Sequence, residues 1–493
     1  MVKQKQNLSP KNPSSGTGLG VMGLAAIVIS SMIGGGIYSL PQNMAQAASV
    51  GAVLVAWLIT GIGIYFIANT FRILSVAKPD LTAGIYMYAR SGFGSYMGFN
   101  IGWSYWLCQI CGNVGYAVIT MDALDYFFPG VFTGGNNLNS IIGGSILIWF
   151  FNCLVLRGIQ QASFINLVAT VVKIVPLILF IIIMAVLFKA DRFDFDFWGE
   201  RLKGFKGLGS IPEQIKSTML VTLWAFIGIE GAVVLSGRAK SQESVGRATF
   251  IGFLGCLGIY VLLSVLPYGF MSQQKLATIA NPSTAGVLEA AVGHWGAWLM
   301  NFGLIVAVLA SWLAWTMIVA EMPYQMAQNG TFPKMFGREN THKAPCTSLW
   351  ITSGMMQLAM ILVYFSNNAW NTMLSITGVM VLPAYFTSCA YLWKLCTDHE
   401  YQKMPHLPGR SEALLTAVLG SIYALWLIYA AGLSYLLMAI VFIAAGLPVY
   451  MVAKYQQDRS QPFFTYREAI LAYGLLIIAI YALYAFSHGL LKV

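Results

Sequence analysis

Three ionisable residues lie inside long apolar stretches of the chain: Lys173, Glu230 and Glu321. A charge in apolar surroundings is costly unless it is paired, so such residues are candidates for function. The Glu230 carboxylate can hold a cation, carry a proton or accept a hydrogen bond. The Lys173 ammonium has no acidic neighbour at helical spacing and must therefore meet another segment. Glu321 stands near the end of its stretch, which favours a structural or gating role over ligand binding.

Two of the apolar stretches are interrupted near their middle. Residues 34–36 are consecutive glycines in the first stretch, and Gly228 and Gly231 flank Glu230 in the sixth. Each glycine weakens a helix by about 1 kcal/mol relative to alanine, and unwound backbone survives in a membrane only where it lines a cavity or is buried in protein. Corresponding interruptions in two stretches five apart predict an inverted-repeat transporter with a site at mid-depth.

The composition places these stretches in a lipid bilayer. The chain has 493 residues, of which 58% are hydrophobic and only 9% are charged, and its mean hydropathy is +0.69. A soluble protein carries about 25% charged residues, so we expect an all-α membrane protein. Stretches long enough to cross the bilayer as helices occur at 19–46, 51–72, 93–127, 139–158, 163–188, 210–237, 246–272, 293–327, 347–366, 369–393, 411–430, 432–453 and 466–488, which makes thirteen predicted spans.

The net charge of +10 indicates membrane topology and not nucleic-acid binding. If the N-terminus is cytoplasmic, the outside connections after spans 1, 3, 9 and 11 contain no Lys or Arg, and the inside connections are rich in both. This bias fixes the orientation, and a thirteenth span places the C-terminus outside. The outside loop 189–209 departs from the pattern, but its basic residues are nearly balanced by acidic ones.

The predicted organisation has three parts. Residues 1–18 form a cytoplasmic tail, and residues 19–396 form a transport core. Two inverted five-helix repeats make up this core, at about 19–188 and 210–396. Residues 411–493 are predicted to form peripheral C-terminal helices.

Several motifs resemble those of one transporter superfamily. The run GGGIYSLPQNMA at 34–45 resembles the first-helix motif of the amino acid–polyamine–organocation superfamily, and WAFIGIE at 224–230 resembles its sixth-helix motif. The segments YWL at 105–107, GN at 112–113 and WT at 315–316 are similar to the basic amino acid/polyamine antiporter branch. The resemblance covers essentially the whole chain and is strongest to bacterial arginine–ornithine antiporters, through VLRGI at 155–159 and GHWG at 293–296.

This resemblance implies a LeuT-like fold with broken helices 1 and 6 and a role for each site residue. Backbone N–H groups at 34–36 would hold the substrate carboxylate, where a half-helix N-terminus favours an anion, and carbonyls near Trp224 and Ile227 would meet its amino group. Trp224 would act as a gate, Trp315 would stack on the cationic side chain and Asn113 would hydrogen-bond it. The candidate substrate-binding residues are Ser31, Met32, Gly34, Gly35, Gly36, Tyr105, Cys108, Gln109, Asn113, Trp224, Ile227, Glu230 and Trp315.

Two residues are candidates for coupling. Lys173 matches the lysine that replaces a sodium site in sodium-independent members of the superfamily. Glu230 would link the two broken helices, through a hydrogen bond from span 1, and carry a proton.

One candidate departs from the family pattern. Gln109 occupies a position that is usually small in arginine carriers, and its amide offers both a donor and an acceptor. Such a side chain suits an imidazole as well as a guanidinium. Histidine–histamine exchange therefore competes with arginine–ornithine exchange as the expected function, and lysine is the third candidate substrate.

The expected function is exchange of a basic amino acid for its metabolic product by alternating access across the bacterial cytoplasmic membrane. A proton-coupled symporter or a uniporter on the same fold is the alternative. A channel would need charged rings or a carbonyl filter, which three isolated ionisable residues do not make. An intramembrane enzyme would need clustered catalytic groups, and the histidines of this sequence lie at span ends or in loops. We expect no cofactor and no metal site, with amino acid and amine substrates, the lipid bilayer and a second copy of the chain (a homodimer) as partners, and no nucleic acid.

Overall fold

The chain folds almost entirely into helices. The computed structural model describes residues 18–199, 208–365, 369–398, 401–404, 407–457, 462–488 and 490, so the predicted tail lies outside the described residues except for Gly18. In those ranges the α-helices are α1 Val21–Met32, α2 Leu40–Ala47, α3 Val50–Ala77, α4 Ile85–Phe93, α5 Ser95–Asp125, α6 Leu138–Leu156, α7 Ile159–Val186, α8 Ala190–Asp194, α9 Ile211–Ala225, α10 Gly231–Val234, α11 Gln242–Val265, α12 Gln273–Thr278, α13 Ser283–Val292, α14 His294–Gln328, α15 Cys346–Val363, α16 Ala369–Thr397, α17 Arg410–Ala431, α18 Leu433–Ala444, α19 Leu447–Gln457 and α20 Tyr466–Ser487.

Twelve of the thirteen predicted spans have a counterpart of the length and hydropathy needed to cross a membrane. Within the described ranges, eleven helical segments are long and apolar enough to cross a membrane, and a pair bent by 46°, Val21–Met32 with Gly35–Ala47, makes the twelfth. The remaining predicted span, 210–237, is divided between α9 and the short α10. The expected all-α membrane fold with two broken helices is therefore confirmed.

The first break lies where the glycines predicted it. Helix α1 ends at Met32, and a 3-10 segment, Gly35–Ser39, leads into α2. Gly34 between them is extended, with φ −104° and ψ −162°, and its N–H donates to the Met32 carbonyl at 2.9 Å. The first N–H groups of the 3-10 segment have no acceptor inside that segment, as at any helix start.

The second break packs against the first. Helix α9 ends at Ala225, and the chain turns through Gly228, whose φ of +112° is open to glycine and strained for other residues, before α10 begins at Gly231. The Ser31 hydroxyl donates to the Gly228 carbonyl at 3.0 Å. A Cβ on Gly228 would stand 2.6 Å from that same hydroxyl oxygen, so the two unwound segments are in direct contact.

The breaks are surrounded by the most buried helices. The most apolar window of α14 is 78% buried inside the protein, and that of α5 is 67% buried, whereas the corresponding window of α20 is 22% buried. Helix α14 packs along α1, α5 and α7, and α16 packs along α5. Helices α5, α7, α14 and α16 therefore supply the side chains of the candidate site that the broken helices do not supply themselves. The division into two inverted repeats and a peripheral C-terminal part stays a prediction.

Candidate substrate-binding site

A cavity lies between the two breaks and the helices that surround them. Its volume is about 30 Å³, which is room for only a few water molecules. An amino acid can therefore enter only if side chains of the wall move. The described residues of the wall are Ser31, Met32, Gly34, Gln109, Gly112, Gly115, Tyr116, Trp224, Ile227, Trp315, Met373 and Thr377.

The wall is aromatic and uncharged. Among the described residues that line the cavity there is no Asp, Glu, Lys or Arg, but there are two tryptophans and one tyrosine. An aromatic face attracts a cation by about 0.5–2 kcal/mol without a buried counter-charge. The cavity is therefore suited to a cationic or zwitterionic ligand that brings its own charges and is held by ring faces and dipoles.

Trp224 closes the cavity against the first break. A Cβ built on Gly36 would fall 1.2 Å from Cη2 of Trp224, so the indole ring occupies the space that any larger residue at 36 would need. The ring lies where a ligand would otherwise reach the glycines. The proposed gate role of Trp224 stays a prediction.

Trp315 of α14 and Tyr116 of α5 both contact the first break. The Trp315 indole N–H donates to the Ser31 carbonyl at 3.0 Å. The Tyr116 hydroxyl lies beside Trp315 and against Gly34, where a Cβ would stand 2.6 Å from its oxygen. The glycine is required here because the tyrosine fills the space of its missing side chain.

Gln109 and Thr377 form the wall contributed by α5 and α16. Gln109 is 2% exposed, and its Nε2 lies 3.6 Å from Cys108 Sγ. Among the described residues no donor bonds its amide oxygen, which leaves an acceptor at the cavity. The Cys108 thiol donates to the Thr377 carbonyl at 3.2 Å, and the Thr377 hydroxyl donates to the Met373 carbonyl at 2.7 Å.

Lys173 is held at the first break by oxygen atoms alone. Its Nζ lies 2.8 Å from the carbonyl oxygens of Ser30 and Ile33, 3.0 Å from Ser30 Oγ and 3.1 Å from Ser311 Oγ. The side chain is fully buried. The expected contact with carbonyls of the first break is present, and the ammonium donates where a bound cation would be coordinated. Its role as a substitute for sodium stays a prediction.

Glu230 lies outside the cavity wall and is held by two tyrosines. Its Oε1 accepts from the Tyr105 hydroxyl at 2.8 Å, and its Oε2 accepts from the Tyr385 hydroxyl at 2.6 Å and from the Gly228 N–H at 3.1 Å. Among the described residues no hydrogen bond joins it to the first span. The expected link between the two breaks is therefore made by Ser31, and Glu230 ties the second break to α5 and α16 instead.

Glu321 pairs with a basic residue just after the second broken span. Its carboxylate oxygens lie 3.2 and 3.3 Å from Arg238 Nε, and Gln325 donates to it at 2.6 Å. Arg238 also bonds Glu339 at 3.0 Å. These contacts join α14 to the segment that follows α10, in keeping with the expected structural or gating role.

The structure brings together about half of the candidate residues. On the cavity wall are Ser31, Met32, Gly34, Gln109, Trp224, Ile227 and Trp315. Away from it are Gly35, packed under Val308 and Ile119, and Gly36, packed under Trp224. Tyr105 and Cys108 bond Glu230 and Thr377 respectively, and Asn113 donates to the Gln109 carbonyl of its own helix at 2.8 Å. The side chains of four candidates are thus turned to a protein partner and not to the cavity, namely those of Tyr105, Cys108, Asn113 and Glu230.

Several wall residues were missed from the sequence. Tyr116 stands seven residues, or two helical turns, after Gln109, so helical periodicity could have placed it on the same face. Gly112 and Gly115 lie on that face as well. Thr377, Met373 and the Glu230 partner Tyr385 carry no comparable signal, because such residues are common in every span.

Comparisons with known proteins identify a family and several similar relatives. The family described as amino acid permease matches residues 19–480. The arginine/agmatine antiporter of Chlamydia abortus is 60% identical over 474 residues, which are 96% of this chain and 97% of that protein. The arginine/agmatine antiporter of Chlamydia pneumoniae is 59% identical over 97% of this chain and 99% of its own length. That of Chlamydia trachomatis serovar D is 57% identical over 95% of this chain and 96% of its own.

The match spans both breaks, every described residue of the cavity wall and the buried charges Lys173, Glu230 and Glu321. The resemblance inferred from the sequence motifs is confirmed. The chain therefore belongs to the amino acid permease family, a family of multi-pass membrane transporters within the amino acid–polyamine–organocation superfamily.

Proposed function

We propose that this protein exchanges arginine for agmatine across the bacterial cytoplasmic membrane. The observation that carries the proposal is an uncharged aromatic cavity between two broken helices in a chain whose relatives, named arginine/agmatine antiporters, cover nearly its whole length. Agmatine replaces the ornithine that the sequence motifs favoured as the exchange partner. Arginine and agmatine both carry a guanidinium group, so one subsite that binds this cation serves both directions of the exchange.

The substrate occupies the cavity after Trp224 and the two wall methionines, Met32 and Met373, move aside. Methionine side chains are flexible enough to repack around a ligand. The arginine carboxylate then faces the N–H groups at the start of the 3-10 segment Gly35–Ser39. The guanidinium stacks on an indole face and donates to the free amide oxygen of Gln109.

Exchange follows from alternating access around this fixed site. Spans 1, 2, 6 and 7 rock against spans 3, 4, 8 and 9, so the two broken helices move relative to the helices that hold Gln109 and Trp315. A ligand speeds the crossing only if it binds the intermediate form more tightly than the end states, as catalysis requires of a transition state. The N-terminus is cytoplasmic and the C-terminus lies outside in this scheme, and the protein forms a homodimer.

Histidine–histamine exchange is the second candidate. The observation that favours it is the Gln109 side chain on the cavity wall, because an amide can pair with either nitrogen of an imidazole. Arginine–ornithine exchange uses the same site with a shorter amine.

Liposomes with the purified protein distinguish these functions. They are loaded with agmatine, ornithine, histamine, lysine or buffer alone, and labelled arginine and labelled histidine are supplied outside without a proton or sodium gradient. Arginine uptake that depends on internal agmatine supports the proposal. Histidine uptake into histamine-loaded vesicles alone would favour the second candidate, and equal uptake into empty vesicles would contradict antiport.

A further inference from the structure

The Tyr116 hydroxyl stands at the first break with its proton available. Its oxygen fills the space beside Gly34, and the cavity wall includes both residues. Its neighbour Trp315 has a single N–H, which donates to the Ser31 carbonyl, and an indole offers no acceptor. Among the described residues no acceptor bonds the Tyr116 O–H, so this donor is free to bind a ligand.

The cavity offers few other donors to a carboxylate. No Lys or Arg lies among its described wall residues, and the buried ammonium of Lys173 is already surrounded by four oxygen atoms. The Gly34 N–H is occupied by the Met32 carbonyl. A carboxylate at this break therefore depends on the N–H groups that follow Gly34 and on the Tyr116 hydroxyl.

The opposite end of the same helix face offers an acceptor. Gln109 precedes Tyr116 by two turns, which is about 10 Å along a helix axis, and its amide oxygen is unbonded among the described residues. Gly112 lies between them with no side chain, facing Thr377 at 3.5 Å from its ideal Cβ. The face thus presents a donor, a position without a side chain and an acceptor in a row, a pattern that fits a zwitterionic amino acid with a cationic tail.

We infer that the Tyr116 hydroxyl donates a hydrogen bond to the substrate carboxylate. This bond sets the preference of the site for the amino acid over its decarboxylated amine. The inference rests on the proposed function. Agmatine has the guanidinium but no carboxylate, so it engages Gln109 and leaves Tyr116 without a partner. Arginine engages both residues. Tyr116 thus acts as a specificity residue, and it helps the outward-facing site to take arginine when both ligands are present.

Binding of each ligand to two variants tests this assignment. Affinities of arginine and agmatine for purified wild-type protein, Tyr116→Phe and Gln109→Leu are measured by titration. We expect Tyr116→Phe to weaken arginine binding about tenfold, the loss of one hydrogen bond to a charged group, and to leave agmatine within about twofold. Gln109→Leu is expected to weaken both ligands by similar factors, because both present a guanidinium to it.

Arginine amide supplies a second readout on the ligand side. Arginine amide has a neutral amide in place of the carboxylate, so it should bind the wild type more weakly than arginine does. In Tyr116→Phe the difference in affinity between the two ligands should be smaller. Tyr116→Leu, which also removes the hydroxyl, replaces Tyr116→Phe if the latter does not fold. Equal weakening of arginine and agmatine, or none, would overturn the role of Tyr116. Failure of the wild type to bind either ligand would instead overturn the proposed substrates.

Discussion

At the scale of single residues, two of the buried charges, Lys173 and Glu230, are held by dipoles and not by opposite charges. Lys173 donates to two backbone carbonyls and two serine hydroxyls, and Glu230 accepts from two tyrosine hydroxyls and a backbone N–H. A buried charge without an ion-pair partner needs such complete hydrogen bonding to be tolerated. Both residues therefore fix the shape of the breaks while the cavity between them stays uncharged.

Removal of the Lys173 ammonium should disturb the first break. Lys173→Met removes the donor of the Ser30 carbonyl and leaves the Ile33 carbonyl with the Ser311 hydroxyl alone. An unsatisfied buried polar group costs about 1–3 kcal/mol. We expect a lower melting temperature in detergent and at least a tenfold loss of exchange. Lys275→Met, at an exposed lysine, is the control and should change neither. A melting temperature unaffected by Lys173→Met would show that the ammonium does not support the break.

At the scale of elements, the central feature is the contact between the two unwound segments. Ser31 bonds the Gly228 carbonyl, and Trp315 bonds the Ser31 carbonyl, so α14 holds both breaks through one serine. The tightness of this contact explains why Gly228 has no side chain. Its φ of +112° adds a second requirement for glycine.

Substitution of Gly228 should therefore separate the breaks. In Gly228→Ala the new methyl group would stand 2.6 Å from Ser31 Oγ on a backbone strained for alanine. We expect a large loss of exchange, and a lower melting temperature if the breaks cannot relax. Gly474→Ala in α20, where a Cβ meets nothing within 4 Å, is the matched control. Normal exchange by Gly228→Ala would mean that the contact is dispensable.

The two residues of the ion pair between Glu321 in α14 and Arg238 after α10 should differ in how much stability is lost when each is replaced. Glu321 is fully buried, and the Arg238 side chain is 20% exposed. Breaking a buried pair by removal of one partner costs about 3–5 kcal/mol when the other charge is left buried. Arg238→Gln should thus lower the free energy of unfolding more than Glu321→Gln does.

Thermal unfolding of both single variants and of the double variant checks this order. The double variant is expected to recover part of the loss of Arg238→Gln, because no uncompensated charge remains. Arg247→Gln, which breaks an exposed pair with Glu243, is the control and should have little effect. If the two single variants lose equal stability, or Glu321→Gln loses more, the account of this pair is wrong.

The elements were more predictable than their contacts. The glycines at 34–36 and the sequence around Gly228 marked both breaks, because glycine is costly inside a helix, and the spans followed from hydropathy. The ionisable residues Lys173 and Glu230 were conspicuous because charges are rare in apolar stretches. Their partners were not, since hydroxyl and aromatic side chains such as Tyr385 and Ser311 occur in many spans without a distinguishing period. Because these partners could not be identified from the sequence, Glu230 was expected to bond the first span, whereas it bonds Tyr105 and Tyr385.

At the scale of the whole molecule, the proposed exchange moves charge. Agmatine lacks the carboxylate that arginine carries at neutral pH, so it bears one more positive charge. Inward arginine and outward agmatine therefore carry one positive charge outward in each cycle. A membrane potential that is positive inside should accelerate the exchange, and each elementary charge is worth about 2.3 kcal/mol per 100 mV.

The most direct test is labelled arginine uptake into agmatine-loaded liposomes whose potential is clamped with potassium and valinomycin. We predict uptake that requires internal agmatine, rises when the interior is made positive and falls when it is made negative. Arginine-loaded vesicles are the control, because arginine–arginine exchange moves no net charge and should not respond to the potential. Uptake into empty vesicles, or agmatine-dependent uptake that ignores the potential, would contradict the proposed exchange.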